Sequence, residues 1–367
     1  MSAIAILYFE SITKSYAAAA LVFSIWMFTQ SVMELPTGVI SDKWSRRKTL
    51  ITSAALQICS GLCFAIAGNI GDADLLFAGA VFWGMAEAFN SGTEEALIYE
   101  TAANMRKTES YDMIYSGTKI FRYAGAATAT VIAVPTLYFF GMNALAWVSI
   151  LPAAAQTIVS AYFVEPRGRE KNAANPMRHF ISAFSKWIRN ARIRKLVLAH
   201  AMSLSCGEPT YRMSSIYAAM FLPIWAIDFA VFVQRVCGAV GFYAAIFMRR
   251  LGLLRMAFLA SAFKCLCMFC ALLADCVVSP FLIAGVTLGN GGEAAAQTGL
   301  LQKEFAAAER ATMQNIGAIF AGLLASMSVY VFGMIADAWS VYAALAALLA
   351  YRSIISLYYR YLMLNWK

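Results

Sequence analysis

Apolar residues in this chain come in long runs, parted by short polar breaks. Eleven runs approach the roughly 20 helical residues needed to cross a bilayer core of about 30 Å. They cover 17–40, 50–68, 75–99, 113–139, 142–164, 196–221, 224–248, 253–273, 277–300, 312–336 and 339–362. None shows the ten-residue alternation of a barrel strand, so helices that satisfy their own backbone in lipid are expected. Ahead of them, residues 2–9 are apolar but too few to span, since eight helical residues reach only about 12 Å. This stub is numbered span 1, and the eleven runs are spans 2 to 12.

Composition sharpens the picture. Of 367 residues, 61% are hydrophobic and 13% charged. A soluble chain of this size would expose large sticky patches, so the fold class is an all-α polytopic membrane protein. Most of the 29 basic residues fall on alternate loops. Lys43, Arg46, Arg47 and Lys48 follow span 2, and the stretch 165–195 carries nine more. The opposite loops carry Glu10, Asp72, Asp74, Asp275 and Asp337 beside Lys14 alone. The positive-inside rule then puts the basic loops, the linker 165–195 and the C-terminus in the cytoplasm of a protein in the plasma (inner) membrane. The net charge of +9 needs no nucleic acid, because no aromatic residues interleave a basic soluble face. Segment 179–195 is basic and amphipathic. It predicts an interfacial helix with Trp187 on the headgroups and its cations toward anionic lipid. The eight cysteines lie in or beside apolar runs and read as packing residues, not as metal ligands or disulfides.

The two sides of the linker resemble each other. Gly38-x-x-x-Asp-x-x-x-Arg-Arg47 returns as Gly241-x-x-x-Ala-x-x-x-Arg-Arg250. Asn90, Gly92, Met113 and Gly117 return as Asn290, Gly292, Met313 and Gly317. Phe140-Gly-Met-Asn-Ala-Leu-Ala-Trp147 returns as Phe332-Gly-Met-Ile-Ala-Asp-Ala-Trp339. Repeats with an even number of helices lie the same way up, the design of transporters with two six-helix halves. The expected organisation is an N-terminal transmembrane half at 1–164, a cytoplasmic linker at 165–195 and a C-terminal half at 196–367. The first half has five spans and a stub, so the chain is expected to be short at its N-terminus by roughly 12–20 residues.

Span 2 ends in Glu34-Leu-Pro-Thr-Gly-Val-Ile-Ser-Asp-Lys-Trp-Ser-Arg-Arg-Lys48. This resembles the loop signature Gly-x-x-x-Asp-(Arg/Lys)-x-Gly-(Arg/Lys)-(Arg/Lys) of the major facilitator superfamily. Gly38, Asp42, Lys43, Arg46 and Arg47 match, and Ser45 stands in place of the family's glycine. The resemblance implies two six-helix bundles related by a pseudo-two-fold axis along the membrane normal, with the first helix cut short. It also implies a gating role for the matching residues. Glycine lets helices approach, and Asp42 can accept from a helix N-terminus or from Arg46. The Gly-Pro-rich stretch common in antiporters of the family is absent from span 5, where Arg122-Tyr-Ala-Gly-Ala-Ala-Thr128 stands.

Ionisable residues inside spans are functional hypotheses by default. In the fold implied by the resemblance, helices 1, 4, 7 and 10 line the cavity. The candidates for substrate or proton binding are therefore Glu87 and Asn90 in span 4, Glu208, Tyr211 and Arg212 in span 7, and Asn290 and Glu293 in span 10. Glu208 and Arg212 are spaced to pair on one helix face, and Pro209 between them predicts a kink. The alternative for each is a salt bridge that only holds helices together. Structural pairing is expected for Glu34 and for Glu94 and Glu95 with Lys119 and Arg122. Lys264 and Arg352 read as support. Only His179 and His200 exist, and no hydrolase or metalloprotease motif accompanies them, so an enzyme is not expected. The leading expectation is a monomeric secondary transporter without cofactor. It would export an amphipathic or drug-like solute against protons, since abundant aromatic and methionine residues suit a promiscuous pocket. Uptake or facilitated diffusion of a small metabolite and a non-transporting receptor or scaffold are the alternatives.

Overall fold

The computed structural model describes residues 4–91, 93–94, 97–98, 101, 111–163, 185, 187, 189–304 and 310–366. Among these residues no strand occurs, and the chain runs from helix to helix. The helices are α1 (Ala5–Thr13), α2 (Tyr16–Lys43), α3 (Arg46–Ile70), α4 (Ala73–Asn90), α5 (Tyr111–Val148), α6 (Ile150–Ala161) and α7 (Ala191–Ala219). They continue with α8 (Ile224–Met248), α9 (Leu253–Ala274), α10 (Ser279–Ala284), α11 (Leu288–Glu304), α12 (Arg310–Ala338) and α13 (Val341–Asn365).

The polar breaks between apolar runs act as caps. Ser45 stays extended (φ −79, ψ 144) and accepts from Lys48 N–H at 3.1 Å, starting α3. An extended residue needs no glycine, which accounts for serine at this position of the signature. Asp72 accepts from Asp74 N–H at 2.9 Å, and Ser340 from Ala343 N–H at 3.1 Å. Gly71 and Gly141 take positive φ (72° and 79°). The turn at Gly141 interrupts α5 where spans 5 and 6 were expected to part. Span 10 is broken by a 3-10 turn at Gly285–Thr287 into α10 and α11. Among the described residues, seven helices are long and apolar enough to cross a membrane. Of the remaining expected spans, α4 is only 18 residues long and α7 carries Glu208 and Arg212 in its interior.

The chain divides into two compact units, one of residues 1, 11–13 and 25–176, the other of 2–10, 14–24 and 177–367. In the first, α3 packs along α4, and α2 crosses α4 where Gly84 has no side chain. A Cβ there would stand 2.6 Å from the Trp26 carbonyl oxygen. Thr37 Oγ1 donates to the Ala88 carbonyl at 2.9 Å and Ser53 Oγ to that of Ala86 at 2.8 Å. Small residues and cross-helix hydroxyls of this kind hold helices together where water supplies no driving force.

In the second unit, α7 packs on α12, α9 on α11 and α13, and α8 on α11. Pro209 removes one backbone N–H from α7 without ending the helix. The carbonyl it leaves free, four residues back at Ser205, accepts from Ser328 Oγ of α12 at 2.6 Å, the repair expected of a proline within a membrane helix. The stub α1 and the start of α2 belong to this unit rather than to the first. Asp337, at the end of α12, explains it. It accepts from Ser15 Oγ (2.5 Å), Tyr16 N–H (2.7 Å) and Ala17 N–H (2.9 Å), and so caps α2 from another helix. Gly333, one turn earlier, faces Ala17 and Ala20 so closely that a Cβ would lie 2.6 Å from that of Ala20. Outward-facing Phe139, Phe140, Phe242, Tyr243 and Phe247 remain exposed on their helices, as residues facing lipid do.

Most of the linker 165–195 lies outside the described residues. Where its end is described, the Trp187 ring meets Phe320 at 5.4 Å and packs on a core of Ile193, Leu196, Val197, Leu300, Leu301 and Ile316.

Candidate functional site

Two charged clusters stand out inside the second unit. The first is on α7. Glu208 and Arg212 form the expected i, i+4 pair at 3.5 Å, with side chains 29% and 11% exposed. The Arg212 guanidinium lies 4.0 Å over the Phe23 ring and 5.1 Å from that of Tyr211. Phe23 in turn packs on Phe9 of α1 at 5.3 Å. A guanidinium over an aromatic face gains cation–π energy and is held flat. The pair is long and partly open on the Glu208 side.

The second cluster is closed. Lys264 of α9 donates to Glu293 Oε2 of α11, and Arg352 Nη1 of α13 lies 3.8 Å from the same oxygen. All three side chains are nearly fully buried. Glycines make this meeting possible. At Gly289 a Cβ would come within 2.7 Å of the Lys264 chain, and at Gly292 within 3.2 Å of Ala260. The segment Leu288-Gly-Asn-Gly-Gly-Glu293 thus gives α11 a thin face, and α9 lies against it. Gln297, one turn on, donates to the Tyr359 hydroxyl, and its Oε1 stands 2.8 Å from His200 Nδ1. Tyr359 also borders Glu293. Leaving one partner of such a buried pair alone costs about 3–5 kcal/mol.

The first unit holds the end of the signature. Arg46 is 8% exposed, and its Nη1 donates to Ser41 Oγ at 2.8 Å. Ser41 Oγ and Thr93 Oγ1 are 3.0 Å apart, joining α2 to the chain beyond α4. Glu34 Oε1 accepts from Ser91 Oγ at 3.3 Å. Among the described residues, a Cβ at Gly38 would meet nothing within 4 Å. Its counterpart in the repeat, Gly241, does lie against the α11 backbone at Leu288 and Gly291. Glu87 and Asn90 are half-buried on α4, a turn or so beyond Trp83, which stacks on Trp26 at 4.3 Å. The side chains of Asp42, Lys43, Glu95, Lys119 and Arg122 lie outside the described residues, and with them the pairing expected of the last three.

The profile described as Major Facilitator Superfamily matches residues 1–329. The chain belongs to the major facilitator superfamily. It is a multi-pass membrane protein of this transporter fold. A variant of the nucleoside transporter NupG superposes with a TM-score of 0.83 at 13% identity, over 98% of this chain and 94% of that one. The E. coli fucose:proton symporter FucP gives 0.57 at 13% identity, over 98% and 97%. An auto-inhibited peptide transporter of the POT family gives 0.67 at 11% identity, over 95% and 88%. No protein of curated function matches the sequence.

Of the superfamily candidates, Glu208, Tyr211 and Arg212 come together, joined by Phe23, which sequence reasoning passed over as one apolar residue among many. Asn290 is exposed on α11, whereas Glu293, three residues on, is buried with Lys264 and Arg352. From sequence Asp337 reads as an outer-side charge within the repeat, not as the cap of another helix. A signal for it existed: it breaks the repeat, where its partner is Leu145, and Ser15 precedes an apolar run as a helix cap would.

Proposed function

We propose that the protein is a secondary active transporter that takes up a small polar solute with protons by alternating access. The single observation that carries this reading is the half-open Glu208–Arg212 pair with Phe23 beneath the guanidinium. Such a plate and pair suit a solute with a flat or hydroxylated face and at least one hydrogen-bonding group, which would replace the long 3.5 Å contact. Uptake displaces export as the preferred direction. The similar folds include proteins named for a nucleoside, for fucose with protons, and for peptides, and none of these names describes drug export.

In this reading Glu208, Tyr211 and Arg212 bind the solute, with Asn290 as a further polar contact. Gly38, Asp42, Lys43, Arg46 and Arg47 form a cytoplasmic gate, anchored through the buried Arg46. The protein works as a monomer in the plasma membrane, with halves at 1–164 and 196–367 and a cytoplasmic linker. A thermal-shift screen of the purified protein against nucleosides, monosaccharides and short peptides tests the solute class. A ligand that raises the melting temperature of wild type and not of Glu208→Gln supports the reading. Stabilisation by cationic drugs alone, equal in both proteins, would count against it.

A further inference from the structure

Lys264 and Arg352 each lie at least ten residues from either end of α9 and α13, and Glu293 lies as far inside the stretch from Ser279 to Glu304 that α10 and α11 make up. That is about 15 Å of helix on each side, so the cluster sits near the mid-height of these helices. There it sets two cations against one carboxylate, with side chains only 4%, 1% and 2% exposed. Among the described residues, the groups that face Lys264 are Glu293 on α11, Arg352 on α13 and Cys206 on α7. Tyr359 borders Glu293, and α10 (Ser-Pro-Phe-Leu-Ile-Ala) adds nothing titratable. Among the described residues, no second carboxylate faces the cluster.

A lone excess charge in so dry a place is neutralised wherever chemistry permits. Arginine cannot lose its proton. Protonating Glu293 would raise the excess from one charge to two. Only the Lys264 ammonium can bring the cluster to zero, and buried lysines do give up protons.

We propose that Lys264 is the proton-exchange site of the transporter, rather than Glu293. When the cluster is closed off, an N–H bond of the ammonium breaks. The electron pair stays on nitrogen and the proton goes to water. Arg352 and Glu293 remain as a neutral pair, and the amine still donates to Glu293. When water reaches the cluster again, the amine takes up a proton from it. This assignment rests on the proton-coupled reading and names the group that carries the proton, with Glu293 as its positioning residue.

The test needs no solute. Full-length protein in proteoliposomes, adsorbed on a solid-supported membrane, is given a step in pH, and the displaced charge is read as a transient current. Wild type gives a transient. Lys264→Arg keeps the cation and its donors but cannot release a proton, so its transient falls at least tenfold in protein that still melts cooperatively. Arg352→Gln leaves Lys264 and Glu293 as a neutral pair with no charge to shed, and its transient falls as well. A folded Lys264→Arg protein with the wild-type transient overturns the assignment. So does an undiminished transient in Arg352→Gln, should Lys264→Arg not fold. A transient that survives in Lys264→Arg and grows with chloride at constant pH also overturns it, giving the excess charge to a bound anion. A protein that passes these tests yet moves no solute on a proton gradient refutes the uptake reading and leaves Lys264 as the exchanging group.

Discussion

Arg212 shows how much a single side chain asks of its setting. Its charge could rest against Glu208 alone, but the guanidinium also lies flat over Phe23 at 4.0 Å. Arg212→Lys keeps the charge and loses the plane, so solute affinity should fall about tenfold, the loss of roughly 1–2 kcal/mol of cation–π and forked hydrogen bonding. Phe23→Leu should lose a similar amount through the other partner, and the double variant little more, which binding isotherms can measure. The buried cluster calls for a different expectation. Glu293→Gln leaves the Arg352 cation without its counter-charge and should destabilise the protein by about 3–5 kcal/mol. Pairing it with Arg352→Met should recover part of that loss in thermal unfolding in detergent. The Glu208–Arg212 pair was legible in sequence because i, i+4 spacing is local. The meeting of Lys264, Glu293 and Arg352 was not, because three helices far apart in sequence must pack before their charges find each other.

Helices here are defined as much by their neighbours as by their own residues. Span lengths and caps could be read from the apolar runs and from Ser45, Asp72 and Ser340. The kink expected at Pro209 could be read too, but not its repair by Ser328, which lies on another helix. Ser328→Ala would leave the Ser205 carbonyl without that donor and should cost about 1–3 kcal/mol, seen as a lower melting temperature. Asp337 holds the start of α2 in the same way. Asp337→Ala should cost about 1 kcal/mol, as for the loss of other helix caps, and should speed hydrogen exchange at Tyr16 and Ala17. Asp337→Asn, which keeps an acceptor, should cost less. Faster exchange spread evenly along α2 would contradict a role confined to its first turn.

Across the whole molecule, duplication made the superfamily fold visible in sequence, yet matching positions have diverged in use. Gly241 admits the backbone of α11, whereas Gly38 meets nothing within 4 Å among the described residues. Gly141 turns the chain, whereas Gly333 admits the start of α2. Copies that drift apart in this way can divide labour, with the loop signature at the end of α2 and the buried charges in the second unit. The repeat therefore indicated architecture well and the site poorly, since each half's chemistry lies where the copies differ. Export was inferred from aromatic and methionine content, which packing and lipid contact also require, so composition could not indicate direction. The most direct test of proton-driven uptake is accumulation of the solute found by the binding screen in proteoliposomes, under an inward proton gradient. The account predicts accumulation in wild type that collapses with a protonophore and falls at least tenfold in Glu208→Gln. Uptake that ignores both the gradient and Glu208 would contradict it.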